Sequence, residues 1–230
     1  MHGTTLVFDL DGTLVDTAPD LIGATNHALG DVGLAPVPGG ALKPWIGFGA
    51  RRMIVEALRI EGRELPEPEV DRLLDAFLAH YEANIARESR PFEGVPGMIE
   101  ACRRDGARIA LCTNKRESLS RALLDALGLS HLFDGLAGRD TFPVSKPHPD
   151  HLLGAIRLAG GDARRAVMIG DSRVDIDTAR AAGVPVIGCT FGYSETPVHE
   201  LGPDAVMGHY RELRVLAGRL LAVGVAGQQQ

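Results

Sequence analysis

Two aspartates near the start of the chain, Asp9 and Asp11, have the residue type and spacing for phosphoryl transfer. They follow a short run that favours a β-strand, residues 4–8. In an extended backbone, side chains two residues apart point to the same side. One carboxylate can attack phosphorus to give an aspartyl phosphate, while the other moves a proton at the leaving oxygen. An Asp-Gly pair alone more often marks a turn, so this hypothesis needs support from elsewhere in the chain.

Polar residues of matching chemistry follow three later segments that resemble strands. Thr113, Asn114 and Lys115 come after the second such run, and Lys146 lies in a loop after the third. Asp171 follows the fourth. Ligands of open α/β sheets bind beyond the carboxyl ends of the strands. We therefore expect these side chains to meet the first pair of aspartates at one edge of a sheet, where a lysine and a hydroxyl suit phosphate oxygens.

The aspartates gathered at this edge would repel one another unless a cation lay among them. A hard divalent ion with oxygen ligands resolves the conflict, and Mg²⁺ suits a site beside a phosphate. Phosphoryl transfer needs a metal and fixed donors around the equatorial oxygens, with a nucleophile in line. The sequence therefore predicts Mg²⁺ as the cofactor and a small phosphorylated molecule as the substrate.

Apolar, β-favouring runs alternate with helical patterns through most of the chain. Such unalternating runs suit strands that are buried on both faces of a parallel sheet. After the first strand, the predicted strands cover residues 108–113, 135–138, 166–170, 185–190 and 205–207. The predicted helices between and after them cover residues 95–104, 117–127, 150–158, 176–182 and 210–221. This alternation predicts an α/β fold with a doubly wound, parallel, Rossmann-like sheet.

One stretch, residues 17–88, carries helical patterns and no convincing strand. Apolar residues recur at helical spacing over residues 21–32 and 70–85, and a third helix is expected over residues 51–60. We interpret this stretch as a helical module inserted after the first strand. The predicted domains are the sheet domain, residues 1–16 and 89–230, and the helical module, residues 17–88.

Composition and charge exclude several classes of partner. The formal net charge is −6 and no long basic run occurs, which argues against nucleic acid or an anionic membrane. No signal-peptide pattern and no apolar run of about 20 residues is visible, so we expect a cytoplasmic protein. The three cysteines form no CxxC pair and are expected to be buried thiols. The tail, residues 224–230, is expected to be disordered, and the sequence is compatible with a monomer or a homodimer.

Four motifs, in this order, resemble those of the haloacid dehalogenase superfamily. Residues 9–16 are similar to its first motif and Thr113 to its second. Lys146, within Ser-Lys-Pro, is similar to the third motif, and residues 170–175 to the fourth. The resemblance covers essentially the whole chain. It implies that the helical module, residues 17–88, is the cap domain of that superfamily, and we call it the cap below.

The resemblance implies roles for the candidate catalytic and phosphate-binding residues. Asp9 would be the nucleophile, and Asp11 the general acid and then the general base for the hydrolytic water. Thr113 and the backbone around Asn114 would hold phosphate oxygens. Lys146 would neutralise the nucleophile and the group in transfer.

The same resemblance implies the ligands of Mg²⁺. Asp9 and Asp171 would bind the ion through their carboxylates, and Asp11 through its backbone carbonyl. Asp175 would support the ion or its waters, although by its position it could instead cap or form an ion pair within its own helix.

Within the superfamily, the chain is most similar to the bacterial phosphoglycolate phosphatases, through residues 45–50, 146–150 and 190–193. This likeness makes 2-phosphoglycolate the leading substrate. Arg51, in the cap, is then a candidate for binding the carboxylate of the substrate. A position on a solvated face of the cap suits this arginine equally well.

Other functions remain open from the sequence. A phosphatase for another small ester, such as an amino-sugar phosphate, or a sugar phosphomutase would share the fold and the first motif, because the difference lies in how the cap excludes water. A phospho-accepting receiver domain also groups acids, a hydroxyl and a lysine at a sheet edge, but the cap and Asp11 argue against it. Asp11 also argues against a dehalogenase, since carbon–halogen chemistry needs neither a metal nor a second acid here.

Overall fold

A computed structural model of the chain describes residues 1–226. Within this range the strands are β1 (Thr5–Phe8), β2 (Val15–Asp16), β3 (Arg90–Pro91), β4 (Arg108–Cys112), β5 (Gly135–Ala137), β6 (Ala166–Gly170), β7 (Val186–Cys189) and β8 (Ala205–Met207). The α-helices are α1 (Ala18–Gly30), α2 (Gly39–Leu42), α3 (Ala50–Ile60), α4 (Glu67–Ala83), α5 (Val95–Arg104), α6 (Glu117–Ala126), α7 (Pro149–Leu158), α8 (Arg173–Ala182) and α9 (Leu213–Ala226).

Six of these strands form one parallel sheet in the order β5-β4-β1-β6-β7-β8. In the central strand β1, Leu6 pairs with Ile109 of β4 and with Val167 of β6. All residues of β1 are buried, as expected for a strand that is covered on both faces. The chain winds outward from β1 in both directions, so the carboxyl ends of the central strands form the crevice where ligands bind. The predicted doubly wound sheet is confirmed.

The two faces of the sheet carry separate apolar cores, because successive residues of a strand point to opposite sides. Leu6 and Phe8 of β1 belong to the core that includes Ile99 of α5. Val7, between them, belongs to the core that includes Ile156 of α7. Close packing on both sides holds the strand ends rigidly, and these ends carry the candidate site.

The cap helices α1 to α4 share a third apolar core of their own. Leu29 of α1, Ile54 of α3 and Phe77 of α4 are buried in it, each less than 2% exposed. No strand lies between the start of α1 and the end of α4. The helical cap of the predicted fold class is therefore confirmed, while its boundaries at residues 17 and 88 stay a prediction.

Two of the cap helices end earlier than their apolar pattern indicates. α1 ends at Gly30, and Val32 lies beyond it with 44% of its surface exposed. The turn after α1 uses Gly33 at a φ of 71°, a left-handed conformation that suits glycine. α4 ends at Ala83, yet Ile85 still packs against two apolar cores. Apolar spacing alone does not distinguish such a packed turn from a further helical turn.

A two-stranded antiparallel sheet, β2 with β3, joins the cap to the sheet domain. Its strands have two residues each, too few for a sequence pattern to reveal. Asp20 of α1 holds the segment that leads from the cap back to the sheet domain. Its carboxylate accepts hydrogen bonds from the N–H groups of Glu88 (3.0 Å) and Ser89 (2.8 Å) and from the Ser89 hydroxyl (2.6 Å). We call β2, β3 and Asp20 the junction.

The C-terminal helix differs from its prediction. A 3₁₀ turn covers Tyr210–Glu212, and α9 then continues to Ala226. Residues 224–226 form the last turn of α9, and the disorder expected from residue 224 stays a prediction, since residues 227–230 lie outside the described range. Within residues 1–226, no helix has both the length and the apolar character needed to cross a bilayer. The three cysteines are free and buried, as predicted.

Candidate active site

Asp9 lies directly after β1, on a tight turn that also carries Asp11. The backbone N–H of Asp9 donates to the carbonyl of Ile169 at 2.9 Å, which holds the residue at the sheet edge. The turn closes through the carbonyl of Leu10, which accepts a hydrogen bond from the N–H of Leu14 at 3.0 Å. Both aspartates line the same cavity, although the chain turns here and does not stay extended through Asp11.

Lys146 lies between two carboxylates. Its ammonium is 2.8 Å from Asp9 Oδ1 and donates a hydrogen bond to Asp175 Oδ1 at 2.6 Å. Burial by itself would lower the pKa of Lys146, but the carboxylates of Asp175 and Asp9 outweigh it and hold this pKa above its ordinary value. The lysine therefore stays charged beside Asp9.

Asp171, directly after β6, is held by hydrogen bonds from two other loops. Tyr193 N–H donates to its Oδ2 at 2.7 Å, and the Thr13 hydroxyl donates to its Oδ1 at 3.0 Å. Two glycines make room for the carboxylate. A Cβ atom added to Gly12 would lie 2.5 Å from Asp171 Oδ2, and one added to Gly192 would lie 2.2 Å from it.

Asp175 both caps its helix and joins the site, so the two interpretations of this residue are compatible. Its Oδ2 accepts hydrogen bonds from the N–H (3.1 Å) and the hydroxyl (2.6 Å) of Ser172, the N-cap of α8. The Ser172 side chain in turn accepts from the N–H of Asp175, which completes a capping box. The other oxygen, Oδ1, is left for Lys146.

Thr113 and Asn114 follow β4 and line the cavity with Asp9. The Thr113 hydroxyl accepts a hydrogen bond from the N–H of Lys115 at 3.2 Å. α6 begins only at Glu117, so Thr113 does not cap this helix. The Asn114 amide donates to the carbonyl of Lys146 at 3.2 Å and so ties the two loops together.

The three carboxylates of Asp9, Asp171 and Asp175 form an acid cluster. One oxygen from each lies within 4.8 Å of the other two, and all three residues are buried. Burial and the neighbouring carboxylates, with Lys146 opposing them at Asp9, raise the pKa of Asp9 to about 6 and that of Asp171 to about 8. Against three carboxylates, Lys146 contributes a single positive charge, which leaves −2 when all are ionised. A divalent cation with oxygen ligands fits this charge and this donor set.

Lys115 has a partner that the sequence does not predict. Its ammonium donates to both carboxylate oxygens of Asp11, at 2.8 and 3.0 Å, and lies 4.6 Å from the ring centroid of Tyr81 in the cap helix α4. Burial would lower the pKa of Lys115, but the charge of Asp11 reverses this and raises it. Because Lys115 follows the end of a strand, the sequence indicates that it lies at the site. The sequence does not indicate that Asp11 is its partner.

Tyr193 connects the acid cluster to the junction, and no sequence signal assigns it this position. Its N–H binds Asp171, while its hydroxyl donates to Asp16 Oδ1 at 2.5 Å and accepts from the N–H of Ala18 at 3.1 Å. Asp16 belongs to β2, and Ala18 begins α1. One residue thus contacts both a candidate metal ligand and the start of the cap.

The cavity above Asp9 has a volume of about 230 Å³ and is walled largely by apolar cap side chains, including Leu74 and Phe77 of α4. Arg51 lies in this wall, but its guanidinium forms ion pairs with Asp71 (2.5 Å) and Glu67. The structure therefore brings the remaining candidate residues together around Asp9. The guanidinium of Arg51 instead points toward α4. The binding of a substrate by Arg51 stays a prediction.

Comparisons with known proteins agree with this geometry. Residues 6–189 match the family described as haloacid dehalogenase-like hydrolase. A phosphoglycolate phosphatase of Mesorhizobium japonicum is 50% identical over 94% of this chain and 96% of its own length, and one of Agrobacterium fabrum is 45% identical over 96% and 95%.

A solved structure from Haemophilus somnus, described as that of a predicted phosphoglycolate phosphatase, superposes with a TM-score of 0.86 at 32% identity. The match covers 93% of this chain and 97% of that one. The resemblance seen in the sequence is confirmed, and the chain belongs to the haloacid dehalogenase-like hydrolases.

Proposed function

We propose that the chain is a Mg²⁺-dependent phosphatase that hydrolyses 2-phosphoglycolate through a phosphorylated Asp9. The observation that carries this proposal is the Lys146 ammonium, held 2.8 Å from Asp9 Oδ1 among three buried carboxylates. A carboxylate that lines a cavity and lies beside a fixed cation suits attack on an anionic phosphorus centre.

Chemistry begins with Asp9. One oxygen of its carboxylate forms a bond to phosphorus as the bond from phosphorus to the ester oxygen breaks. Asp11 gives a proton to the leaving oxygen and then takes one from the water that attacks the phosphorylated Asp9. Attack by water at phosphorus releases inorganic phosphate and regenerates the Asp9 carboxylate. Lys115, 2.8 Å from Asp11, stabilises the ionised form that this second step requires.

The other residues hold the phosphoryl group. The Thr113 hydroxyl and the backbone around Asn114 bind its oxygens, and Lys146 offsets its charge. Asp9, Asp171 and Asp175, with the backbone carbonyl of Asp11, would hold Mg²⁺. When bound, Mg²⁺ supplies positive charge that stabilises the equatorial oxygens in transfer. The acid cluster, which with Lys146 carries a charge of −2 when all three carboxylates are ionised, supports this assignment.

Cavity size and relatives support a small substrate. At about 230 Å³, the cavity lies below the roughly 300–1,000 Å³ of sites that hold drug-sized ligands. The relatives from M. japonicum and A. fabrum, both named phosphoglycolate phosphatase, match over nearly the whole chain. 2-Phosphoglycolate combines a phosphate with a leaving group of only two carbons, so it fits such a cavity.

A turnover screen tests the proposal. Release of inorganic phosphate is measured with Mg²⁺, and again with excess EDTA, for 2-phosphoglycolate, glucose 6-phosphate, glucosamine 6-phosphate and pyrophosphate. We expect 2-phosphoglycolate to have the highest kcat/KM and EDTA to abolish turnover. A higher value for glucosamine 6-phosphate would support an amino-sugar phosphatase instead.

Two further outcomes would remove other parts of the proposal. Conversion of glucose 6-phosphate to the 1-phosphate without release of phosphate would indicate a mutase. Full turnover in EDTA would exclude the role of Mg²⁺.

A further inference from the structure

The cavity above Asp9 is lined by four cationic side chains: Arg51, Lys115, Arg116 and Arg139. Lys115 is neutralised by Asp11, and Arg51 by two carboxylates of α4. Within residues 1–226, Arg116 and Arg139 form no ion pair with a carboxylate, so their charges remain available to a ligand. These two arginines are therefore the candidates for contacting an anionic group on the leaving part of a substrate while Lys115 and Arg51 keep their partners.

Arg139 lies where the sheet edge faces the cap. It follows β5, and its N–H donates to the carbonyl of Lys115 at 2.8 Å, which ties it to the loop of Thr113. Its guanidinium extends toward the cap, since a Cβ atom added to Gly49 would lie 3.3 Å from Arg139 Nη1. A guanidinium in this place can contact a ligand held between the two parts of the protein.

The loop that carries Arg139 is packed firmly against α6. A Cβ atom added to Gly138 would lie 2.4 Å from the backbone nitrogen of Glu117. The N–H of Gly138 also donates to the Thr141 hydroxyl at 2.9 Å. The backbone of Arg139 is thus fixed, and only its side chain is left to adapt to a ligand.

The surroundings favour binding of a carboxylate by this arginine. The planar guanidinium matches the two oxygens of a carboxylate. The opposite wall consists mainly of apolar side chains, among them Leu74, Phe77 and Leu78 of α4, with the uncharged hydroxyl of Tyr81 beside them. A carboxylate that enters this cavity without a cationic partner would lose its hydration uncompensated.

We propose that Arg139 binds the carboxylate of the substrate and determines the preference for phosphate esters that carry one. This inference rests on the proposed function and assigns to Arg139 the contact that the sequence suggests for Arg51. Arg116 is the matched alternative, because it lines the same cavity and also lacks an ion pair within residues 1–226.

The test compares kcat/KM for 2-phosphoglycolate and for 2-hydroxyethyl phosphate, in which a hydroxymethyl group replaces the carboxylate. Arg139→Met removes the charge and keeps most of the unbranched stem of the side chain, and Arg116→Met is the matched control. We expect Arg139→Met to lower kcat/KM for 2-phosphoglycolate by roughly 10- to 100-fold, the usual effect of losing a charge-assisted hydrogen bond. Its effect on 2-hydroxyethyl phosphate should stay within about twofold.

Arg139→Lys, which keeps the charge, should recover part of the loss. Thermal unfolding checks that each variant is folded, and Arg139 is exposed, so little change is expected. Equal losses on both substrates, or a larger selective loss in Arg116→Met, would overturn the assignment to Arg139 alone. A wild-type enzyme with no preference for 2-phosphoglycolate would overturn the proposed function, and the assignment to Arg139 with it.

Discussion

The floor and the cap wall of the cavity differ in the kind of side chain that forms them: charged in the floor, mainly apolar in the wall. The floor is built around Asp9, which lines the cavity. Lys146 contacts Asp9 and Asp175, and Asp171 completes the acid cluster, in which one oxygen of each carboxylate lies within 4.8 Å of the others. All four residues are almost fully buried, and we call them the floor. The cap wall consists mainly of apolar side chains from helices, and its candidate cation, Arg51, is 36% exposed and paired within the cap.

This difference shows where the chemistry and the selectivity of the site reside. Residues at the ends of packed parallel strands have little freedom, because the sheet and its helices hold their backbone. A charged side chain on the helical wall can form ion pairs with carboxylates of the neighbouring helix, as Arg51 does with Asp71 and Glu67. In the mechanism that we propose, the floor provides general phosphoryl chemistry, and selectivity for the leaving group depends on the wall and the loop edges.

The largest expected effect on activity comes from a substitution in the floor. Asp9→Asn should lower kcat by at least about 10⁴-fold, because the amide is a poor nucleophile and the loss exceeds that typical of a general acid. Asp31→Asn, the same change on the exposed end of α1, should leave kcat unchanged. A folded Asp9→Asn variant that keeps a tenth of the wild-type kcat would contradict a nucleophilic role for the floor.

The second effect concerns the metal. Mg²⁺ added to chelated protein should raise Tm, with a stabilisation of about 2.7 kcal/mol when its concentration is 100 times Kd. Asp171→Asn should remove most of this stabilisation, whereas Asp177→Asn, which changes a half-buried acid of α8 outside the acid cluster, should keep it. Differential scanning calorimetry measures both, and an unchanged response to Mg²⁺ in Asp171→Asn would exclude Asp171 as a ligand.

The dependence on pH provides the control for this metal effect. The pKa values of Asp9, about 6, and Asp171, about 8, are raised above the ordinary 3.8 chiefly by burial. Without metal, their contribution to stability is complete below about pH 4 and is lost as the pH rises through about 6 and about 8. Tm in EDTA should therefore fall over this interval, and Mg²⁺ should reverse the fall. A Tm in EDTA that does not change with pH over this interval would contradict the raised pKa values of Asp9 and Asp171.

The smallest expected effect comes from a substitution at Tyr193, which connects the floor to the junction. Tyr193→Phe removes the hydroxyl bonds to Asp16 and Ala18 but keeps the N–H bond to Asp171. We expect a loss of about 1–2 kcal/mol in the free energy of unfolding. Hydrogen exchange should become faster at the junction, while kcat should change little.

Tyr210→Phe is the matched control for this variant. Its hydroxyl donates to the carbonyl of Thr13 at 2.9 Å, inside the sheet domain. It should lose similar stability without faster exchange at the junction. Equal exchange in the two variants would show that Tyr193 does not fasten the cap.

Part of the floor could be predicted from chain position, because strand ends of a parallel sheet converge and Asp9 and Asp171 each directly follow a strand. Lys146 and Asp175 lie farther from the ends of their strands, and the resemblance of their motifs to those of the superfamily marked them as site residues. The pairs of Lys115 with Asp11 and of Tyr193 with Asp16 join residues 104 and 177 positions apart. Such pairs depend on how the cap and the loops pack, for which no local pattern exists.

Arg51 shows the same limit. Its helix, its place in the cap and its position in the cavity wall follow from the pattern of residues 51–60, and α3 covers them. The direction of its guanidinium depends on two acids of a helix that packs beside it. The sequence therefore located a candidate cation, but not the partner that neutralises it.

Covalent labelling of Asp9 tests the central claim most directly. Wild-type enzyme with Mg²⁺ is mixed with 2-phosphoglycolate, quenched in acid during turnover, digested and mapped by mass spectrometry. We predict a phosphoryl group on the peptide that contains Asp9, which disappears when the quench is delayed until the substrate is exhausted and is absent from Asp9→Asn. Rapid turnover with no phosphorylated peptide at any quench time, or with the phosphoryl group on another residue, would contradict the mechanism.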